Sequence, residues 1–313
     1  MGLDWSFSSE RCFRRCQRQY YFKEIAAWHN GRDPVRREAF VLKQLKGLET
    51  WRGSVVHTAI ERFVVPYWQS RQPIDWDVVI KSAKTLAERQ FSFSSLGRFR
   101  ENGLSKSKAG DDYCALSAHD CGESIPAESL SGTIQQIETA LVNLSQMREL
   151  LKSIEGRKAY FTELPVSVDY HGAKINGQID LMFFRGFGEP TVIDWKCYES
   201  VAGSDAHLQT ALYAWLLCRH SKWNVSRPEN VELIEVRLSR DPSFIRHRFD
   251  STRFFELEDH IFKSVEEIRA LCGEASYADQ DLADYSFTEN PNSCAYCPFR
   301  RLCQEAGTCP IML

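Results

Sequence analysis

No apolar run in the 313-residue chain approaches the roughly 18 residues that a membrane-crossing helix needs. The N-terminal text Met1-Gly2-Leu3-Asp4-Trp5-Ser6 also lacks the apolar core of a secretory signal. Both absences point to an intracellular, cytoplasmic protein with no membrane partner. Glycine and proline are few, at 17 and 11, which excludes a collagen-like or flexible low-complexity chain. The net charge is only −3 and 43% of residues are hydrophobic, so global disorder is excluded as well. No G-x-x-x-x-G-K-[ST] loop is present to cradle a nucleotide, so the chain is not itself an ATP-driven motor. No internal repeat is visible.

Cysteine, by contrast, is plentiful. Eleven cysteines, an odd number in a reducing compartment, do not make a disulfide framework. Cys12 and Cys16 lie near one end and Cys294, Cys297, Cys303 and Cys309 near the other. The spacing Cys294-x2-Cys297-x5-Cys303 is too tight to be incidental. With a fourth thiolate it suits tetrahedral zinc or a [4Fe–4S] cluster, and spacing does not choose between them. Cys114, Cys121, Cys197, Cys218 and Cys272 read as buried, unligated residues; Cys309 has no assignment.

The small net charge hides two opposed fields. Arg11 to Lys46 holds ten Lys/Arg against three acids, and Ser251 to Asn290 holds ten acids against three Lys/Arg. The basic segment is interleaved with Phe13, Tyr20, Tyr21, Phe22 and Trp28, a composition suited to phosphates and stacked bases. Arg14, Arg15 and Arg18 are its candidate DNA contacts. On charge alone, a solvated helix face explains the segment more simply.

The first half reads as helical. A helix capped by Ser8 or Ser9 runs to about Ala27, and others cover Arg36–Glu49, Gly53–Trp68 and Asp75–Gln90. Residues 92–133, rich in Ser, Gly, Asp and Lys, are expected to be a long surface loop or partly disordered insertion. A long amphipathic helix follows over Ile134–Ile154. Strands are predicted over Lys158–Tyr170, Lys174–Phe184, Thr191–Cys197 and Val231–Leu238, with another at Phe244–Phe249. Helices are predicted over Asp205–His220 and Thr252–Cys272. The fold class is therefore α/β, a mixed central sheet flanked by helices. A single domain is expected: a helical region 1–157 including the 92–133 insertion, a core 158–250, and a C-terminal helix with the cysteine cluster, 251–313.

Within the core, Ile175, Ile179 and Leu181 alternate onto one strand face and leave Asp180 on the other. In Val192-Ile193-Asp194-Trp195-Lys196, Asp194 and Lys196 share a face. A hairpin through Gly186 and Gly188 then brings Asp180, Asp194 and Lys196 to one point. Two carboxylates and a lysine suit a hard divalent cation acting on a phosphodiester. Upstream stands Gly53-Ser54-Val55-Val56-His57, and downstream Gln209-Thr210-Ala211-Leu212-Tyr213. The order G-x-x-x-H, G-x-x-D, hydrophobic-D-x-K and Q-x-x-x-Y resembles the PD-(D/E)XK nuclease superfamily, in its RecB-like branch. The resemblance runs from Phe7 to Cys303 apart from the 92–133 insertion.

The resemblance implies a restriction-endonuclease-like core and roles for individual residues. His57, Asp180, Asp194 and the Trp195 backbone carbonyl look like the ligands of Mg²⁺ or Mn²⁺. Lys196 looks like the lysine that orients water and stabilises phosphate charge, and Gln209 and Tyr213 like residues that steady the substrate. Glu163 is a candidate supporting acid. Asp at 194, where many members carry Glu, matches the RecB branch; Cys197 stands where a small Thr is usual. The text Phe7-Ser8-Ser9, then Phe13-x-x-Cys16-Gln17-x-x-Tyr20-Tyr21-Phe22, is similar to that of iron–sulfur members such as AddB-type nuclease domains and the CRISPR adaptation nuclease. By that likeness Cys16 joins Cys294, Cys297 and Cys303 around a [4Fe–4S] cluster, although Gln17 replaces the usual Pro. The implied function is metal-dependent hydrolysis of DNA, with a single-strand exonuclease as its expected form, alongside a helicase or CRISPR adaptation or repair proteins. A non-catalytic nucleic-acid-binding subunit is the alternative, and a zinc-knot interaction module would explain the cysteines but not the strand motifs.

Overall fold

The computed structural model describes residues 3–30, 32–157, 159–185, 189–197, 204–223, 225–273 and 277–306. Its longer elements, in chain order, are β1 (Leu3–Trp5), α1 (Phe7–Arg15), α2 (Pro34–Leu42), α3 (Leu48–Ala59), α4 (Trp76–Ser95) and α5 (Ala127–Gln146). Then come β2 (Tyr160–Tyr170), β3 (Ala173–Phe184), β4 (Pro190–Lys196), α6 (Ser204–Arg219), β5 (Glu232–Arg237), β6 (Ser243–His247) and α7 (Ser251–Cys272). The strands form one mixed sheet in the order β1-β3-β4-β5-β6, with β2 also paired to β3, and helices flank it. The expected fold class is the observed one. No helix among the described residues is long and apolar enough to cross a membrane.

The chain divides into two compact units. The first comprises Met1–Leu45, Asp169–Asn176 and Glu258–Leu313. Here β1 pairs in parallel with the start of β3, Leu3 opposite Ala173. Helix α1 is capped by Ser6 rather than Ser8 or Ser9, in a reciprocal capping box with Ser9. It does not run on to Ala27. Cys16 is extended (φ −166°, ψ 113°) and ends it, after which a short helix and a π-helical turn reach Ala26. Trp5 is buried and donates from Nε1 to Ser264 on α7 at 2.9 Å. The two opposed charge fields contribute to this same unit: Arg14 reaches Glu267 at 3.4 Å, and the Tyr277 hydroxyl donates to Asp33 at 2.9 Å.

The second unit comprises Lys46–Val168 and Gly177–Leu257. β3 runs antiparallel to β4, with Leu181 opposite Ile193. β4 runs parallel to β5, with Asp194 opposite Glu235 and Lys196 opposite Arg237, and α6 makes the crossover between them. The anticipated glycine turn between β3 and β4 falls on residues 186–188, outside the described residues. Period-2 alternation splits the sheet's side chains. Leu181, Phe183, Ile193, Trp195, Ile234 and Val236 pack into one buried cluster with Trp51, Val55 and Val56 of α3, Leu86 of α4 and Ile137 and Leu141 of α5. Asp180, Asp194, Lys196, Glu235 and Arg237 take the other face.

The 92–133 segment is not the open loop expected from its polar composition. α4 continues to Ser95, short helical turns follow, and α5 begins at Ala127 instead of Ile134. Phe99, Cys114, Ala115 and Leu116 are buried, and Leu116 N donates to Ser94 Oγ at 2.9 Å. Ion pairs Arg89–Asp112 and Arg100–Asp120 hold the polar stretches between these anchors. The helix expected through Ile154 breaks at Met147 (φ −78°, ψ 61°).

Glu235 is a buried acid flanked by Arg237 and His247. Its carboxylate accepts from Arg237 Nε at 2.8 Å and lies 3.7 Å from His247 Nε2. The His247 contact, then Arg237, outweigh burial and hold the Glu235 carboxyl down to about 2. A carboxyl depressed in the folded state stabilises above its ordinary range, and that contribution is lost as pH falls from 4.5 towards 2. The contribution is about 3 kcal/mol. Urea unfolding from pH 7 to pH 2.5 should therefore show a shallower acid loss in Glu235→Gln than in the wild type. Parallel losses would contradict this assignment.

Candidate active site

The site is assembled in the second unit from two helices and three strands. His57 comes from the last turn of α3, whose apolar positions Trp51, Val55 and Ala59 recur at helical spacing and fix its rotation. The ring Nε2 lies 3.1 Å from the Trp195 carbonyl oxygen. With Nε2–H donated to that oxygen, Nδ1 faces Glu163 Oε1 and Asp180 Oδ1, each at 3.5 Å. His57, Glu163 and Asp180 offer ligand atoms that all lie within 4.8 Å of one another. Glu163 sits on β2 with φ 46°, a left-handed conformation that a non-glycine residue adopts only when its surroundings hold it there. Gln178 donates to its other oxygen.

Asp180 also accepts from the Trp195 backbone N–H at 2.8 Å. Burial nevertheless pushes its carboxyl up to about 7, with His57 opposing the rise and Asp194 and Glu163 adding to it. Burial alone would depress His57, but Asp180, Cys197 and Glu163 together raise it well above its ordinary value. A protonated His57 would place a positive charge beside Asp180 and Glu163. A divalent cation would displace these protons, because ligands bind it deprotonated.

On β4, Lys196 Nζ meets Asp194 Oδ2 at 2.6 Å. The other Asp194 oxygen faces the Tyr213 hydroxyl at 3.5 Å, and Gln209 hydrogen-bonds Tyr213 in turn. Burial, then Asp194 and Asp180, push the Tyr213 hydroxyl far above its usual pKa, so it remains a neutral donor. Gly177 explains how α6 comes so close. A Cβ there would lie 2.6 Å from Leu216 Cδ1, and Leu216 is fully buried. The glycine three residues before Asp180 thus admits the helix that carries Tyr213. Gly53 is different: a Cβ would meet only Cys197 Cβ, at 3.9 Å.

The expected residues His57, Asp180, Asp194, Trp195, Lys196, Gln209 and Tyr213 are therefore neighbours. Glu163, reached in the sequence only as a supporting acid, stands level with Asp180 before His57. Arg52 was missed. It donates to the Cys197 carbonyl at 3.0 Å and to Gln136, and its only signal was its place directly before Gly53.

Cys16, Cys294, Cys297 and Cys303 belong to the first unit. Burial pushes the Cys297 thiol up to about 12, and Cys16, Cys294 and Cys303 each add to that rise through their proximity. Cys12 is buried beside Lys23 and Arg15 instead. Among the basic residues, Arg18 departs from its expected role as a DNA contact. It is 5% exposed, donates from Nε to the Tyr285 carbonyl at 2.8 Å and lies against Phe287. Its burial removes it from any phosphate. Arg14 remains exposed but binds Glu10 at 2.8 Å, and exposed Arg15 donates to Gln19 at 3.0 Å. Cys309 lies outside the described residues.

A mixed sheet that presents paired carboxylates and a lysine, with a histidine from a flanking helix, defines a nuclease-type site. The chain belongs to the PD-(D/E)XK nuclease superfamily, whose family model matches residues 4–304. The observed sheet is accordingly its restriction-endonuclease-like core. Among solved structures it is similar to SSO0001, at 18% identity and a TM-score of 0.30, over 60% of this chain and 79% of that one. It is also similar to a candidate exonuclease from Eubacterium rectale, at 12% identity and a TM-score of 0.37, over 69% of this chain and 74% of that one. Scores this low leave the assignment resting on the family match. No curated protein sequence matches the chain.

Proposed function

We propose that the protein is a divalent-metal-dependent DNA nuclease, acting as a single-strand exonuclease. The observation that carries this reading is the convergence of His57, Glu163 and Asp180 beside the Asp194–Lys196 pair. The residues fit a hard cation, since one imidazole and two carboxylates already share ligand distance. His57, Glu163, Asp180 and Asp194, with the Trp195 carbonyl, would hold Mg²⁺ or Mn²⁺. Such an ion supplies Lewis acidity towards the phosphodiester and acidifies water. Lys196, fixed by Asp194, donates to the developing charge on phosphorus-bound oxygen and orients the attacking water. Tyr213 and Gln209 hold Asp194, and so Lys196, in place. Every expected catalytic position is filled, which argues against a purely structural subunit. A helicase of a repair or CRISPR adaptation system is a natural partner, because the chain carries no nucleotide-binding loop of its own. Of the three expected DNA contacts, Arg14 and Arg15 are the two exposed ones and remain available to meet DNA phosphates.

End-labelled single- and double-stranded DNA, incubated with and without Mg²⁺ or Mn²⁺, tests the proposal. Cleavage should require metal and favour the single strand. Lys196→Ala should lower the rate by about a hundredfold or more without abolishing metal binding, as expected for a group acting mainly in the transition state. Asp180→Ala and Asp194→Ala should lose both. Wild-type rates in all three variants would overturn the assignment, and equal cutting of both DNA forms would overturn the strand preference.

We propose further that Cys16, Cys294, Cys297 and Cys303 hold a [4Fe–4S] cluster, with zinc as the alternative. Cys16, Cys294 and Cys303 all act on the Cys297 thiol, and a set of four thiolates suits either zinc or a cubane cluster. Protein purified without oxygen should be brown and contain about four iron atoms per chain, the content of a cubane cluster. Cys16→Ala should bleach it and Cys12→Ala should not. A colourless, zinc-loaded wild type would reject the cluster, and a brown Cys16→Ala protein would reject the ligand set.

A further inference from the structure

A cavity of about 840 Å³ opens in the second unit where the parallel strands β4 and β5 end. Its walls are Cys197 after β4, Leu238–Arg240 after β5, Arg52 of α3, and Gln136 and Thr139 of α5. Carboxyl ends of parallel strands are where α/β sheets bind ligands, and the volume is that of a ligand site. The cavity is tied directly to the proposed catalytic lysine. Leu238 N–H donates to the Lys196 carbonyl at 2.8 Å, and Asn143 donates to the Leu238 and Ser239 carbonyls at 3.1 and 2.8 Å. The loop that carries Arg240 is thus fixed against the end of β4.

Two arginines line this space, and among the described residues neither forms an ion pair. Both hydrogen bonds of the Arg52 guanidinium go to neutral acceptors, the Gln136 amide oxygen and the Cys197 carbonyl. Arg240 is exposed and forms no hydrogen bond or ion pair among the described residues. Glu49 also lines the cavity and pairs with neither arginine. Among the described residues no aromatic side chain lines the cavity as a platform for stacked bases. The amides of Gln135 and Gln136 and the hydroxyls of Thr139 and Ser239 suit phosphate and sugar oxygens.

We infer that this cavity binds the sugar–phosphate backbone of the substrate strand next to the scissile bond, with Arg52 and Arg240 on its phosphates. The inference rests on the nuclease reading above and adds the path of the strand. Binding there reads no bases, so the subsite is indifferent to sequence. Arg240 supplies a phosphate contact outright, whereas Arg52 also holds the Cys197 end of β4 in place.

The test is the salt dependence of binding a fluorescein-labelled oligothymidylate, followed by anisotropy with Mg²⁺ in full-length protein. Every variant carries Lys196→Ala so that cleavage is slow, and gel analysis after each titration checks that the strand is intact. Loss of one phosphate contact on a single strand should lower the log–log salt slope by about 0.7 and weaken affinity about fivefold near 0.1 M salt. Arg240→Gln should show this change and Arg240→Lys should restore the slope. Arg98→Gln, an exposed arginine paired with Glu101 elsewhere in the unit, should leave it unchanged. Thermal unfolding confirms that each variant is folded. An unchanged slope in Arg240→Gln, or an equal change in Arg98→Gln, would overturn the inference. Cleavage by protein with Lys196 intact, run in parallel, reports on the nuclease reading alone, so the two can fail separately.

Discussion

Asp180 and Asp194 lie on adjacent strands of one sheet face, with side chains 11% and 8% exposed. Two carboxylates this close cannot both remain ionised in a low dielectric unless something positive stands beside them. His57 when protonated, the Trp195 N–H and Lys196 meet that demand. Each is delivered by a different constraint. The helical repeat of α3 aims His57, the parallel pairing of β4 with β5 fixes Trp195 and Lys196, and the bare Cα of Gly177 lets α6 bring Tyr213 onto Asp194. The site is a balance of charge before it is a catalyst. A divalent cation would take over the role that His57 fills when protonated.

The first unit handles charge differently. Its basic and acidic segments are opposite in sign, and part of each is spent on the other. Glu10 is buried between Arg14 and His260, 2.8 Å from each, and its pKa lies below its ordinary value because these contacts outweigh burial. Arg18 has its guanidinium turned inwards onto a backbone carbonyl. Of the segment's surplus of seven positive charges, Arg18 is thus withdrawn from the surface and Arg14 is paired with Glu10 and Glu267. Counting charges along a chain overstates the field wherever the complementary segment folds back beside it.

What was legible in the sequence follows the same physics. The strand pattern around Asp180 and Asp194 was readable because period-2 alternation, with apolar neighbours at Ile179, Leu181, Ile193 and Trp195, leaves no other face for the acids. The sheet and its flanking helices were readable for the same reason. Element ends were less so. The break of α1 at Cys16 and that of the long helix at Met147 carry no glycine or proline signal. Residues 92–133 looked like loop because their composition is polar, yet a few buried anchors and two ion pairs order them. Glu163 was underrated because its left-handed backbone, which turns it towards His57, has no mark in the text. Arg52 and Arg240 were invisible as a pair, since 188 positions separate them and only the ends of two parallel strands bring them to one cavity.

The central claim is that the cluster of His57, Glu163, Asp180 and Asp194 is built for one divalent cation. Calorimetric titration of metal-free protein with Mn²⁺ at pH 6 and pH 8 tests it most directly. One site should fill at pH 8, and binding should be weaker at pH 6, where the raised pKa values of Asp180 and His57 make protons competitors. Asp180→Asn and Glu163→Gln should each weaken that site while the protein remains folded. Absence of Mn²⁺ binding at pH 8, or full binding by folded Asp180→Asn, would contradict the account.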